Sequence, residues 1–198
     1  MGELGSVMLD HSCQVQRHTH AERAHDLYET PEVATLALLK AENLPKRIWE
    51  PAAGKGRIAR VLSAAGHQVV QHDLIDYGVP DIETGRDFLL TREAPAECTC
   101  ILTNPPFKIA NKFVAHALNL APTVIMLLRL AFLESRRRTS ILEGRGLHRI
   151  HVFRLRLPMM HQWKGRKANS GMAFAWFRWD RGYTGSPELH RISWESAS

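Results

Sequence analysis

From Pro31 onward the chain alternates between two hydrophobic periods. Val33, Leu36, Ala37 and Leu39 recur at helical spacing behind Pro31, a residue that suits a helix start. A short apolar strand at 48–50 leads into a glycine turn, and Ile58, Val61, Leu62 and Ala65 then mark one face of a helix over 56–65. A strand follows at 68–73, then a looped region with a short strand near Arg86 to Leu89, and a strand from Cys98 to Thr103. Ile109, Phe113, Ala117 and Leu118 share one side of a helix over 109–120, and Thr123 to Leu128 is a nearly continuous apolar run. Apolar strands alternating with amphipathic helices predict an α/β fold, a mostly parallel sheet covered on both faces. The end of the chain differs in kind. Arg149 to Leu155 and Gly171 to Trp179 both read as strands with no helical period between them, which predicts an antiparallel hairpin. Residues 1–24 carry neither period and are expected to form a flexible tail, leaving 25–198 as a single domain.

Composition agrees with that division. A chain of 198 residues with 44% hydrophobic content can bury one sizeable core without disulfides or metal. Its 3 cysteines, an odd number, argue for a reducing compartment, and Cys98 and Cys100 alternate along a strand as packing residues do. His11, Cys13, His18, His20 and His25 fit no familiar ligand spacing, so no metal is expected. The chain opens on no signal-peptide pattern and has no apolar run of membrane-spanning length, so a cytoplasmic protein without membrane contact is expected. The net charge of +6 is concentrated late. Between Glu134 and Ala168 stand Arg136, Arg137, Arg138, Arg145, Arg149, Arg154, Arg156, Lys164, Arg166 and Lys167, with Glu143 the one acid inside the stretch. Such a run is ordinarily a solvated face. It is also what a phosphate backbone requires.

Two motifs carry chemistry. In the first, Glu50-Pro51-Ala52-Ala53-Gly54-Lys55-Gly56 joins strand to helix, where glycines let backbone approach a ligand and the helix N-terminus offers free N–H groups. Asp73 closes the next strand, placed to accept hydrogen bonds from ribose hydroxyls. The spacing also satisfies the loose dinucleotide fingerprint, which leaves NAD open on this motif alone. Glu50 speaks against it, because a carboxylate there would repel a pyrophosphate but could hold the ammonium of an amino acid. S-adenosylmethionine has that ammonium and no phosphate. The second motif is Asn104-Pro105-Pro106-Phe107. Its prolines stiffen a turn, which could be no more than an ordinary one. The Asn104 side-chain carbonyl and the Pro105 backbone carbonyl could together take both hydrogens of an exocyclic NH2, and Phe107 offers a base a flat face. Acceptors that favour a more positive nitrogen stabilise the transition state of its alkylation.

These residues resemble the class I S-adenosylmethionine-dependent methyltransferases, specifically small phage-type N6-adenine DNA methyltransferases with an Asn-Pro-Pro-Phe motif. The resemblance runs from about Tyr28 to Trp179. It implies a Rossmann-like, mostly parallel seven-stranded sheet with helices on both faces and an antiparallel C-terminal hairpin. It further implies that Tyr28, Thr30 and Pro31 contact the methionine part of the cofactor, that Glu50, Pro51, Ala52, Gly54 and Gly56 form the cofactor turn, and that Asp73 binds ribose. Asp87 and Phe88 would bind its adenine, and Asn104, Pro105, Pro106 and Phe107 would be catalytic. Lys108, Arg136, Arg137, Arg138, Trp163, Lys164, Arg166 and Lys167 are the expected nucleic-acid contacts, the last four in a loop that lines the family's target-base pocket.

The implied activity is methyl transfer to N6 of adenine in DNA, with short or lax sequence specificity because no separate target-recognition domain is visible; a homodimer would supply further base-reading surface. RNA adenine or guanine amino groups and the side-chain amide of a protein glutamine are the alternatives, since all are NH2 groups on an sp2 carbon. Two other classes stay open: a nucleic-acid-binding module whose methyltransferase fold is inactive, and an NAD-dependent dehydrogenase, which leaves the tetrapeptide unexplained.

Overall fold

The computed structural model describes residues 28–158 and 172–195. The proposed tail and Trp163, Lys164, Arg166 and Lys167 lie outside the described residues. Seven strands form one sheet: β1 (Arg47–Glu50), β2 (Gln68–Gln71), β3 (Cys100–Thr103), β4 (Thr123–Arg129), β5 (Leu147–Phe153), β6 (Phe174–Asp180) and β7 (Glu188–Ile192), in the order β2-β1-β3-β4-β6-β5-β7. β1 pairs in parallel with β2 and β3, and β3 with β4. β6 is inserted antiparallel between β4 and β5, and β7 adds to β5 in parallel. The mostly parallel sheet and the antiparallel hairpin expected from the sequence are both present.

Period-two alternation sends the strands' side chains to two cores. Trp49, Ile101, Val124, Met126 and Phe177 pack with Phe113, Val114 and Ala117 of α3 (Ala110–Leu120) and Ile141 of α4 (Thr139–Leu142). Ile48, Cys100, Leu102, Ile125 and Trp176 pack on the other face with Ala34 and Leu38 of α1 (Glu32–Ala41) and Ile58 and Leu62 of α2 (Arg57–Ala64). A parallel sheet buried on both faces needs strands apolar at every position, and Val124 through Leu128 are all fully buried. The three large indoles in these cores each find a partner for their one donor. Trp49 Nε1 donates to His72 Nδ1 (2.9 Å), Trp176 Nε1 to the Ala34 carbonyl (2.9 Å) and Trp179 Nε1 to the Ile141 carbonyl (2.8 Å).

Two expectations need correction. The short strand near Arg86 to Leu89 is instead a 3-10 turn, Phe88–Leu90, because the Asp87 side chain accepts the Leu89 N–H (2.9 Å) and turns the backbone out of the extended state. What strand pairing there is in that region is one bridge, His72 with Glu83. The seventh strand is β7, which the hydrophobic pattern does not announce: Glu188 through Arg191 are all exposed, and its pairing with β5 rests on backbone bonds.

Where α1 meets this end of the sheet, Glu42 enters a nearly closed space and accepts hydrogen bonds from Arg149 (3.0 Å), His151 Nε2 (2.7 Å) and Arg178. Arg178 also forks onto Asp180, which His148 reaches at 2.6 Å. Burial by itself would raise the Glu42 carboxyl, but His151, Arg178 and Arg149 outweigh it and pull its pKa down to about 2. A carboxylate lowered in the folded state contributes stability above its unfolded pKa and loses it as pH falls from 4.5 toward about 2. Glu42→Ala should therefore cost about 3 kcal/mol at neutral pH in urea denaturation, because it strands the half-buried Arg149 and Arg178. The difference from the unsubstituted protein should narrow through that acid window.

Candidate active site

The carboxyl ends of β1 and β3, with the turn that follows β2, open onto a cavity of about 280 Å³. Each wall follows from a local rule. After β1 the chain turns over Pro51 to Gly56, with Gly54 at φ +55° and Gly56 at φ +70°, a region that glycine enters without strain. Gly56 caps α2, and a Cβ there would stand 3.1 Å from Gln71 Oε1. Gly56 and Pro31 shape the site without lining it; Glu50, Pro51, Ala52 and Gly54 do line it.

Two acids lie under this turn. Glu50 is 1% exposed, and its Oε2 accepts the Ala59 N–H at 3.0 Å, inside the first turn of α2. Asp73 is tied by both oxygens, Oδ2 to the Gly54 N–H (2.8 Å) and Oδ1 to the Ile75 N–H (2.8 Å). It thereby welds the β2 turn to the glycine turn. Burial pushes the Glu50 carboxyl well above its ordinary value; the Ala59 N–H opposes the shift and the neighbouring Asp73 charge adds to it. Burial likewise raises Asp73, against the N–H groups it accepts. A cavity floored by two acids that ionise reluctantly favours a cationic or hydroxyl-bearing ligand and opposes a phosphate.

Part of the cavity lining is apolar. Phe88 stacks on Phe113 (centroids 4.2 Å, 29°) and meets Trp49 edge-on (5.3 Å), while Ile75 and Tyr77 add to the lining. Asp87 reaches the cavity as the cap of the Phe88 turn. Thr30 lines the near side, where Glu29 binds Arg57 (2.8 Å) and Lys55 (3.0 Å) and so fastens the segment before α1 to the glycine turn.

The tetrapeptide begins where β3 ends, and Asn104, Pro105 and Pro106 line the cavity together with Lys108. Asn104 Nδ2 donates to the Tyr28 carbonyl at 3.0 Å, which fixes the amide orientation. Its Oδ1 is buried and has no hydrogen-bond partner among the described residues. A buried acceptor left unmade is costly unless a ligand completes it.

Phe107 is placed differently from its expectation. Its ring does not line the cavity: Tyr28 stacks on it (4.7 Å, 29°), Phe174 packs at 5.6 Å, and the Arg129 guanidinium lies over it at 4.6 Å. An exposed aromatic face gains by covering itself, and these neighbours do so. Arg138 is also engaged within the fold, through Asn111 Oδ1 (2.8 Å) and the carbonyls of Ala131, Phe132 and Glu134. Arg136 and Arg137 are exposed.

Sequence reasoning did not anticipate Tyr28 as the anchor of Asn104, nor Arg129. For Tyr28 no local signal exists, since the two residues are 76 apart. For Arg129 there was one: a charge ending an otherwise apolar strand at the same end of the sheet as Asn104.

No protein-family model matches the chain, and no curated protein matches it. Solved structures do. A candidate class I S-adenosylmethionine-dependent methyltransferase from Listeria monocytogenes superposes with TM-score 0.59 at 12% identity, over 85% of this chain and 66% of that one. The Type I restriction enzyme EcoKI M protein gives 0.53 at 17%, over 79% of this chain, which spans only 44% of that protein's length. The 23S rRNA methyltransferase ErmE gives 0.53 at 18%, over 82% and 72%. The fold is that of the Rossmann-like class I methyltransferases. No helix among the described residues is long and apolar enough to cross a membrane.

Proposed function

We propose that this protein is an S-adenosylmethionine-dependent methyltransferase that acts on the exocyclic N6 amino group of adenine in DNA, with short or lax sequence specificity. The observation that carries the reading is Asn104: its Nδ2 is pinned by the Tyr28 carbonyl, and its buried Oδ1 stands without a partner at the cavity. An NH2 on an sp2 carbon supplies the missing donor.

The lining fits the cofactor. Glu50 suits its ammonium, Asp73 its ribose hydroxyls, and Phe88 with Ile75 an adenine ring. When bound, the cofactor supplies an electrophilic methyl group on a sulfonium. Asn104 and the Pro105 carbonyl hold the target amino group by its two hydrogens, which directs the nitrogen lone pair away from the turn. They also favour the charge that develops on nitrogen. The proton leaves to water or to these acceptors, so no strong base is required. The target adenine is presented single-stranded or flipped from its duplex. Lys108, Arg136 and Arg137 are the contacts proposed for phosphates on the described surface. RNA is the second reading, favoured by the likeness to a 23S rRNA methyltransferase over 82% of this chain and 72% of that one.

Transfer of labelled methyl to duplex DNA, single-stranded DNA and RNA, followed by nucleoside analysis, tests the reading. Label should appear as N6-methyldeoxyadenosine; absence of label in every polymer despite cofactor binding would refute it. Asn104→Ala should keep the cofactor Kd and lower kcat by about 100-fold or more, the usual cost of removing a preorganised transition-state partner. Because burial raises the Glu50 carboxyl and an ammonium pairs with its ionised form, cofactor binding is linked to loss of the Glu50 proton. Cofactor affinity measured by calorimetry should climb with pH until Glu50 ionises in the free protein, and the Glu50→Gln protein should bind weakly with that dependence gone.

A further inference from the structure

Arg129 is the last residue of β4, which runs parallel to β3 and extends beyond Thr103 on the side where Asn104 stands. Leucines precede it, Leu127 and Leu128, both fully buried. The guanidinium carbon lies 4.6 Å from the Phe107 centroid, yet the Arg129 side chain forms no hydrogen bond or ion pair among the described residues, and its Nε is buried without a partner. The contrast with three other half-buried arginines is direct: Arg149 and Arg178 share Glu42, and Arg138 is wrapped by carbonyls. A ring face attracts the cation but leaves its N–H groups unmade, so this side chain is short of an acceptor. The acceptor that a planar fork of donors matches best, and that brings the missing negative charge, is a phosphate or carboxylate.

Building on the reading above, we infer that Arg129 is a substrate-binding residue that holds a phosphate of the nucleic-acid strand next to the target base. The position also accounts for the covered ring of Phe107. Tyr28 and Arg129 both lie over that ring, so a base that stacks there has to displace one of them. Tyr28 is anchored by its backbone carbonyl on Asn104, whereas the Arg129 side chain has no polar partner among the described residues and rests on the ring. Transfer of the guanidinium from ring to phosphate satisfies its donors and frees the face for the base in one movement.

The test uses fluorescent single-stranded DNA and RNA oligonucleotides with one adenine in a pyrimidine run, carrying either natural linkages or one uncharged methylphosphonate on either side of that adenine. Binding is measured over a salt series for the wild-type, Arg129→Gln and Arg129→Lys proteins, with cofactor affinity as the control for folding. Arg129→Gln should bind about tenfold more weakly or worse, with the slope of log K against log salt reduced by about 0.7, the loss of one single-strand phosphate contact. The methylphosphonate on one side should do the same to the wild-type protein and nothing further to Arg129→Gln. Arg129→Lys should keep the slope and lose part of the affinity. An unchanged slope in Arg129→Gln, or a methylphosphonate effect equal in both proteins, overturns the assignment. Should Arg129→Gln lose the cofactor and prove unfolded, the wild-type protein still decides: neither methylphosphonate changing its slope overturns the assignment. Methylation of an oligonucleotide together with such a result removes only Arg129. Failure to methylate any oligonucleotide removes the nucleic-acid reading as well.

Discussion

Parallel pairing of β1 through β4 constrains everything else in this molecule. Parallel neighbours cannot be joined by tight hairpins, so the chain must leave each strand at its carboxyl end and cross a face of the sheet before it returns. The crossings bury both faces. They also gather the exits at one edge, so the glycine turn, Asp73 and Asn104 arrive together although they stand far apart in sequence. Ligand sites at this edge are the general outcome of such sheets.

Within that frame the site is built by polar groups that do two tasks. Glu50 caps the first turn of α2 while it lines the cavity, and Asp73 ties two turns together while it presents a carboxylate. Their burial makes ionisation costly, a cost that structure alone does not repay. Asn104 is the complementary case, with one end of its amide spent on the fold and the other left over. Acids short of a cation and an acceptor short of a donor, lining one cavity, form a site set for two partners of different chemistry.

The antiparallel end of the sheet serves stability. Glu42, Arg149, His151, Arg178 and Asp180 form a connected set of charges that joins α1 to β5 and β6. Arg149, Arg154 and Arg156 belong to the same basic stretch of sequence as Arg136 and Arg137, but Arg149 is neutralised within the fold. A run of basic residues therefore overstates the cationic surface, because charge counted along the chain ignores the acids that folding brings beside it.

What the sequence determined by itself was whatever is encoded locally. Apolar runs with a period of two or 3.6 marked six of the seven strands and the three longer helices, since burial of one face demands that spacing whatever the partner. The glycine turn and the proline-stiffened tetrapeptide were legible because their backbone geometry depends on the residues themselves. Tertiary structure decided the rest. It added β7 by backbone bonds that leave no hydrophobic trace and set Tyr28 on Asn104 across 76 residues. It also covered Phe107 and left Arg129 without an acid among the described residues. Those outcomes depend on which side chains meet after the chain has closed, and no local spacing carries that information.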